Sequence, residues 1–365
     1  MKKSLPRILF DKEQALEQFD TVTQNAMQDN LFRGSVLRVE RFGKLQFEKA
    51  WGDALYDGQD RIPMKTNYLF DLASLSKLFT TNAILRLITL KKLQEHTLIL
   101  DLLPYKDPRL LNALNKIDIS SLLDHSSGIH YWYPFYTRQG ESFESILSSV
   151  VEKHPLEKRV IYSDLNFMLL GLIVEQVTGK LLAEAMTDLV FSPLGMKSAT
   201  YHPDPCRTVA TEFGNRIEKQ MVTNLGLEFA FWRTETVPFR GTTDDGNCHY
   251  FFKDEAGHAG IYANAKEVAS LGKVYSGQET EYLDPELKKI ATTNRGNDRG
   301  YGFQFGELYP QEGFGHTGFT GTYLHINPAT GLTITLLTNR LHVACPQNIN
   351  PFRQEISKLC LQTFA

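Results

Sequence analysis

The chain has 365 residues, of which 42% are hydrophobic and 22% are charged, and its formal net charge at pH 7 is -3. This length allows one large domain, or two closely packed ones, with a sizeable core. The small net charge gives no electrostatic reason to expect nucleic acid or an anionic membrane as a partner.

Several motifs that would indicate a metal or a cofactor are missing. Cys206, Cys248, Cys345 and Cys360 are scattered without Cys-x-x-Cys or Cys/His spacing, which indicates neither a metal site nor a disulfide framework. The sequence contains no His-Glu-x-x-His, no phosphate-binding loop with Gly-Lys-Ser/Thr and no Gly-x-Ser-x-Gly. We therefore expect no metal and no cofactor.

The N-terminus, Met1–Arg7, begins like a signal peptide, but charged residues at 11–13 arrive before any apolar region develops. No window reaches the apolar length that spans a bilayer. We expect a cytoplasmic protein, or a periplasmic or secreted one if a leader has been removed.

Two elements open the fold. Residues 12–30 carry apolar side chains at spacings of three and four, which predicts an amphipathic helix ending near Asn30. Residues 34–52 alternate in two arms around a turn at 41–44, which predicts a β-hairpin. A helix followed by a hairpin suggests an antiparallel sheet covered by helices.

Ser74 and Lys77 are the strongest candidates for catalysis. Residues 75–93 are strongly apolar without glycine or proline, which predicts a buried helix that brings these two side chains together at its start. The helix dipole and burial would push the lysine towards its neutral form, as a base beside a nucleophile requires. The alternative is that Ser74 caps the helix and Lys77 is a solvated first-turn residue, although a capping box would place Glu or Gln there.

Residues 117–123 lead into a loop in which His125 precedes two serines. Adjacent positions on a helix do not face each other, so we interpret His125 as a capping or packing residue rather than as a base. The aromatic residues at 131–136 either wedge the fold or line a pocket, and we favour the rim of a pocket.

Tyr162, Ser163 and Asp164 precede an apolar helix that stops at Gly179, and a second helix is predicted at 180–191. Asp164 is an ordinary N-cap candidate. By itself, this segment is interpreted as structural.

Residues 200–260 are the least regular part of the chain. Asp244, Asp245 and Asn247 superficially suggest calcium, but the twelve-residue loop pattern with its closing Glu is absent, so we interpret them as turn residues. A long loop is usually functional or disordered, and the aromatic residues here argue against disorder.

The C-terminal part predicts a helix over 265–275 capped by Asn264, strands at 301–306, 321–327 and 332–339, and a final helix over 350–363. Gly313, Gly315 and Gly318 form a Gly-x-Gly-x-x-Gly pattern. The residues that follow are strand-like, whereas a dinucleotide site needs a helix there. These glycines more plausibly permit close backbone approach along a strand edge.

Three motifs occur in one order: Ser74-x-x-Lys77, Tyr162-Ser163-Asp164 and His316-Thr317-Gly318. The chain thereby resembles the serine hydrolases related to class C β-lactamases, D-alanyl-D-alanine carboxypeptidases (penicillin-binding proteins) and β-lactamase-like carboxylesterases. Their motifs are Ser-x-x-Lys, Tyr-x-Asn/Ser, and Lys-Thr-Gly or His-x-Gly. Segments 122–129 and 257–260 also look like family segments, so the resemblance covers residues 30 to 345.

The resemblance implies an α/β fold of the α+β type. An antiparallel sheet flanked by the N- and C-terminal helices would come from residues 1–70 and 256–365. A mostly helical domain would come from 71–255, with a long irregular loop at 200–255. The active site would lie in the groove between them.

The resemblance also implies a role for each motif residue. Ser74 would form an acyl-enzyme, while Lys77 and Tyr162 would share proton transfer. The backbone N–H groups of Ser74 and Phe319 would bind the oxyanion. The residues expected to bind a small-molecule or peptide substrate are Asp164, His316, Thr317 and Gly318.

Two positions depart from the best-known members. Asp164 stands where β-lactamases usually have Asn, and His316 replaces a lysine that carries a permanent charge. Both changes favour an esterase, amidase or peptidase. A true class C-like β-lactamase or D-Ala-D-Ala carboxypeptidase is the alternative, and a catalytically silent binding or scaffold relative is the alternative from another class.

Overall fold

The computed structural model describes residues 12–277 and 281–365, so the leader-like start at Met1–Arg7 lies outside the described residues. The helices run over Lys12–Gln28 (α1), Ser76–Thr89 (α2), Pro108–Leu114 (α3), Ile119–Leu123 (α4), Phe143–Lys153 (α5), Asp164–Thr178 (α6), Leu182–Met186 (α7), Arg216–Asn224 (α8), Ala265–Tyr275 (α9), Pro285–Ala291 (α10) and Asn350–Phe364 (α11). The strands run over Gly34–Arg41 (β1), Lys44–Tyr56 (β2), Arg61–Pro63 (β3), Phe70–Asp71 (β4), Tyr262–Ala263 (β5), Phe314–Thr317 (β6), Tyr323–Asn327 (β7) and Leu332–Thr338 (β8).

Six strands form one antiparallel sheet in the order β3-β2-β1-β8-β7-β6. The predicted hairpin is β1 and β2, which turn at Phe42 and Gly43, both at positive φ. Strand β1 lies inside the sheet because it also pairs with β8, where Ser35 faces Thr338. The N- and C-terminal parts of the chain therefore build one sheet together.

The terminal helices cover one face of this sheet. Phe19 of α1 and Phe352 and Ile356 of α11 are buried in one cluster with Leu37 of β1 and Ile334 of β8. Helix α9 packs against β1, β7 and β8, and its residues Val268 and Leu271 belong to a second core that also contains Val36 of β1. The predicted sheet with flanking N- and C-terminal helices is confirmed.

Helix α2 follows strand β4 in the chain and is almost entirely buried. Eleven of its fourteen residues are buried, and it contacts α6, α7 and α10. The helix predicted over 75–93 is shorter in the structure, because Lys91 adopts a left-handed φ of 57° just after Leu90. The start also differs, since residues 73–75 form a 3-10 turn that leads into α2.

Two predicted elements are corrected by the structure. Residues 301–306 are not a strand, because Gly302 and Gly306 at positive φ break the extended backbone, and only isolated bridges of Gln304 remain. The strand beside β7 is instead β6. The region at 200–255, predicted as a long irregular loop, contains helix α8. The good helix formers at residues 218–221 favour this helix.

Among the described residues, no single helix is long and apolar enough to cross a membrane, although α6 and the residues 182–191 pass that test together, bent by 81°. The division into domains of 1–70 with 256–365 and of 71–255 stays a prediction.

Candidate active site

Ser74 lies in a tight turn between β4 and α2. Ala73 adopts a φ of 47°, a conformation that is costly for a residue with a side chain. Its backbone N–H donates to Asp71 Oδ1 at 2.9 Å, which holds the turn in place. Ser74 does not cap α2, since the N-cap position is Leu75 and no side chain caps this end. The Ser74 hydroxyl is therefore available for other contacts.

Lys77 Nζ donates to Ser74 Oγ at 3.0 Å and to the carbonyl oxygen of His258 at 3.3 Å. The lysine side chain is fully buried, so the alternative of a solvated first-turn residue is wrong. Its ammonium lies 2.7 Å from Asp164 Oδ1. The sequence motif thus becomes a three-residue contact between the turn, α2 and the first residue of α6.

The ion pair decides the charge of Lys77. Burial lowers the pKa of the lysine, but attraction to Asp164, and then to Tyr162, outweighs burial and raises its pKa above the ordinary value. The expectation that burial makes Lys77 neutral is therefore wrong. The reason is that Asp164, which was expected to bind substrate, supplies the counter-charge.

Tyr162 is held by the loop after α4. The backbone N–H of Ser163 donates to His125 Nδ1 at 3.1 Å, and the His125 and Tyr162 ring centroids lie 4.8 Å apart. His125 is buried and adopts a φ of 63°, in agreement with the packing interpretation. Ser163 caps α6 by accepting from the N–H of Asn166, so the N-cap is Ser163 rather than Asp164.

Two cations approach the ring of Tyr162. Lys77 Nζ lies 5.0 Å from the ring centroid, and the guanidinium carbon of Arg299 lies 4.7 Å from it. Burial lowers the pKa of Arg299, while Tyr162 acts in the opposite direction. Sequence reasoning missed Arg299, which follows a turn and belongs to no motif. Both cations lie within about 6 Å of the ring centroid, which is the range of a cation–π contact.

Two threonines in the connection between β6 and β7 join that connection to the Ser74 turn. Thr320 Oγ1 donates to the carbonyl oxygen of Asp71 at 2.8 Å, and Thr322 Oγ1 donates to that of Leu72 at 2.9 Å. Gly318 is required here, because a Cβ would lie 2.5 Å from the carbonyl oxygen of Leu72. This confirms the close backbone approach predicted for that glycine.

The same connection brings the two predicted oxyanion donors onto adjoining segments. Neither the backbone N–H of Ser74 nor that of Phe319 donates to a protein acceptor in the part of the chain that the structure describes. The carbonyl oxygen of Gly318, which shares a peptide group with the Phe319 N–H, accepts from Arg353 Nη2 at 3.0 Å. The next carbonyl oxygen, that of Phe319, accepts from Arg340 Nη1 at 2.6 Å. Sequence reasoning did not identify Thr320, Thr322 or Arg340.

His316 lies beside Tyr162, with 5.7 Å between the ring centroids. The imidazole is fully buried, and its Nδ1 lies 2.6 Å from the carbonyl oxygen of Thr317, so Nδ1 carries the hydrogen. Burial, followed by repulsion from Lys77 and Arg299, lowers the pKa of His316 well below its usual range. His316 is therefore neutral and does not line the cavity, in contrast to the direct substrate contact predicted for it.

A cavity of about 500 Å³ opens over Ser74. Tyr131 and Trp132 form part of its lining, which confirms the predicted pocket rim for these two residues, whereas Phe135 and Tyr136 are buried. Predicted site residues in the lining are Ser74, Tyr162, Asp164, Thr317, Gly318 and Phe319. The structure thus gathers six of the eight predicted residues around one cavity, with Lys77 and His316 behind it.

Comparison with known proteins finds relatives that are named as hydrolases. N-acetylmuramyl-L-alanine amidase of Bacillus subtilis is 31% identical over 351 residues, covering 85% of this chain and 78% of that protein. A candidate D-alanyl-D-alanine carboxypeptidase of Escherichia coli is 30% identical over 372 residues, covering 90% and 83%. The class C β-lactamase from Rhodobacter sphaeroides has the same fold, with a TM-score of 0.71 at 18% identity over 95% of this chain and 99% of that one. Residues 19–357 match the family described as Beta-lactamase, and the chain is accordingly a member of the β-lactamase family, among relatives named as hydrolases.

Proposed function

We propose that the protein is a serine hydrolase that forms an acyl-enzyme on Ser74 and cleaves an ester, amide or peptide bond. One observation carries this proposal: Ser74 Oγ lies in the cavity wall and accepts a hydrogen bond at 3.0 Å from a lysine that is fully buried. A purely structural serine has no need of such a partner. The catalytically silent alternative has no comparable observation in its favour.

The charge of Lys77 shapes the proton path. Because Asp164 keeps the lysine protonated, Lys77 stabilises negative charge on Ser74 Oγ rather than taking its proton. Tyr162, whose ring lies beside Lys77 and Arg299, accepts that proton as the general base while the Ser74 oxygen bonds to the substrate carbonyl carbon. The tyrosine then gives the proton to the leaving group as the scissile bond breaks.

The backbone N–H groups of Ser74 and Phe319 bind the oxyanion in this mechanism. Each donor of this kind contributes about 3 kcal/mol of transition-state stabilisation. In the second half of the reaction, water attacks the acyl carbon and Tyr162 takes one of its protons. The Ser74 oxygen leaves and recovers a proton from Tyr162.

Thr317, Gly318 and Asp164 line the cavity and are the proposed substrate contacts. His316 acts through Tyr162, against which it packs. An amide bond is favoured over an ester bond as the bond cleaved, because the relatives at 30% identity or more are named as an amidase and as candidate carboxypeptidases.

Covalent labelling tests the proposal directly. A fluorophosphonate probe should add one phosphonyl group per chain, with loss of fluoride, when read by intact mass. The matched Ser74→Ala variant should show none. Equal labelling of both proteins, or none in either, would overturn the assignment of Ser74. Turnover of p-nitrophenyl esters, nitrocefin and D-alanyl peptides, measured side by side, then ranks the substrate classes.

A further inference from the structure

Four carboxylic acids line the cavity beside the proposed catalytic residues. They are Glu212, Glu218, Asp244 and Asp245, which we call the acidic wall. They belong to the irregular region at 200–255, where the sequence pattern favoured a turn role for Asp244 and Asp245. The proposed chemistry at Ser74 uses none of them.

Two side chains of the wall have an unpartnered oxygen. Glu212 and Asp244 are 1% and 4% exposed, yet Glu212 Oε2 and Asp244 Oδ1 accept no hydrogen bond from any residue that the structure describes. Leaving a buried carboxyl oxygen without a donor costs free energy. Both residues lie in the lining, so a ligand in the cavity is placed next to their carboxyl groups.

The cations around the wall are occupied by other acceptors. Arg233 donates to Asn215 Oδ1 and to the carbonyl oxygens of Thr243 and Asp244, none of which is a carboxylate. Arg216 Nε lies 3.9 Å from Glu212 Oε2, which is within the range of an ion pair but beyond hydrogen-bond distance.

The remaining charged groups of the cavity are also engaged. Lys77 pairs with Asp164, and His258 Nε2 lies 2.9 Å from Asp245 Oδ1. Arg340 and Arg353, which line the same cavity, donate to the carbonyl oxygens of Phe319 and Gly318. None of these groups donates a hydrogen bond to Glu212 Oε2 or to Asp244 Oδ1, so both oxygens stay without a donor among the described residues.

Burial makes ionisation of these acids costly. Burial raises the pKa of Glu212 to about 7, and burial with repulsion from Asp245 raises the pKa of Glu218 to about 8. Burial and repulsion from Glu212 and Asp71 raise the pKa of Asp244 well above its ordinary value. A cation placed among these groups would favour their ionised forms and bind to them.

We propose that the acidic wall binds an ammonium group of the substrate, so that the hydrolase prefers substrates carrying a free amine near the bond that is cleaved. This inference rests on the proposed function. A metal ion fits less well, because within the described residues no three His, Cys, Asp or Glu side chains converge as metal ligands would. An ammonium needs only the unpaired acceptors that Glu212 and Asp244 provide.

Two small amides test the wall at pH 7. Alaninamide carries an α-amino group, mostly protonated at this pH because its pKa is about 8, and N-acetylalaninamide is its neutral counterpart. Each is tested as an inhibitor of Ser74-dependent p-nitrophenyl acetate turnover. Alaninamide should inhibit at a concentration at least about tenfold lower, as expected for a charged hydrogen bond in a cavity.

Variants locate the effect. Asp244→Asn and, separately, Glu212→Gln should reduce the preference for alaninamide to less than about threefold. Glu228→Gln, which removes one exposed carboxylate outside the lining, should leave the preference unchanged. A preference retained in both wall variants would overturn the assignment to these residues.

The wild-type protein alone decides the main point. Equal inhibition by the two amides, with turnover intact, would overturn the acidic wall and leave the proposed function standing. If no Ser74-dependent turnover is found, the proposed function fails. In that case calorimetric titration of the two amides decides about the wall, where equal affinities would refute it and tighter binding of alaninamide would support it.

Discussion

Lys77 Nζ lies 2.7 Å from Asp164 Oδ1, and this ion pair keeps a positive charge 3.0 Å from the hydroxyl oxygen of Ser74. The two residues come from the first turns of α2 and α6, which pack against each other. A lysine in this position can act as a base only when neutral, or as an electrostatic stabiliser when charged. The aspartate keeps Lys77 charged and so favours the second role in the proposed mechanism.

Replacing Asp164 by Asn separates the two roles. Without the carboxylate, burial dominates and lowers the pKa of Lys77, so the variant loses the ammonium at a lower pH than the wild type does. Ester turnover by Asp164→Asn should therefore fall as pH rises from 7 to 10 relative to the wild type. The profile of kcat/KM against pH measures this.

The opposite slope would be informative. If turnover by Asp164→Asn rises with pH relative to the wild type, Lys77 works as a base and the proposed proton path is wrong. Asp188→Asn is the matched control, because Asp188 forms an exposed ion pair with Lys180. Its pH profile should follow that of the wild type.

Tyr162→Phe removes the hydroxyl that we propose to carry the proton. Ester turnover should drop by more than about tenfold, which is the range for loss of general acid/base help. Fluorophosphonate labelling and steady-state kinetics both measure the change. Tyr56→Phe, at an exposed position, serves as the control. Near-normal turnover of Tyr162→Phe would remove Tyr162 from the mechanism.

Thr322→Val removes the hydrogen bond between the β6–β7 connection and the Ser74 turn while keeping the shape of the side chain. The carbonyl oxygen of Leu72 loses this donor, and the two oxyanion N–H groups lose part of their fixed spacing. We expect kcat for p-nitrophenyl acetate to fall about tenfold, with KM within about twofold, because small misplacement at the reacting centre is costly.

A merely structural role for Thr322 would give a different result. In that case the melting temperature would fall and kcat, measured well below it, would stay normal. Thr21→Val removes a comparable bond from a threonine side chain to a backbone carbonyl on the exposed surface of α1 and is the control.

Glu212→Gln should change how stability depends on pH. Burial raises the pKa of Glu212 to about 7, so the folded protein binds this proton more tightly than the unfolded chain. The resulting stability is complete below the ordinary pKa of a glutamate and is lost as pH rises through 7. The glutamine variant does not titrate, so its melting temperature should improve relative to the wild type by at least about 2 °C between pH 5 and pH 8.5.

Differential scanning fluorimetry at several pH values gives this comparison. Glu228→Gln is again the matched control, since that side chain is exposed. A constant difference in melting temperature between wild type and Glu212→Gln across the pH range would contradict a raised pKa for Glu212.

Much of the fold was predictable because local patterns agree with the final packing. The alternation in β1 and β2, the capping box of Asn264 with Glu267, and Gly179 in the left-handed region at the end of α6 all follow from local chemistry. The strand expected at 301–306 failed because its apolar residues pack from an irregular backbone, which periodicity does not reveal.

The candidate site was predictable as a set of residues but not as a set of charges. Ser74, Lys77 and Tyr162 stand in recognisable motifs, whereas their environment depends on contacts between distant segments. Three kinds of contact depend on segments that are far apart in the sequence. They are the ion pair of Asp164 with Lys77, the approach of the Arg299 guanidinium to Tyr162, and the hydrogen bonds of the two threonines. They form only when α6, the segment before β6 and the segment after β6 meet near the start of α2. No spacing in the sequence signals such contacts.

The pairing of β1 with β8 has a consequence for how the protein is made. These strands are separated by about 300 residues, so a nascent chain on the ribosome carries β1 with one edge unpaired until all of those residues have been synthesised. The Phe319 segment is likewise added long after the nucleophile. A chain released early would therefore present an open strand edge to its neighbours and lack one of the two proposed oxyanion donors. Contacts of such long range are typical of slow folding.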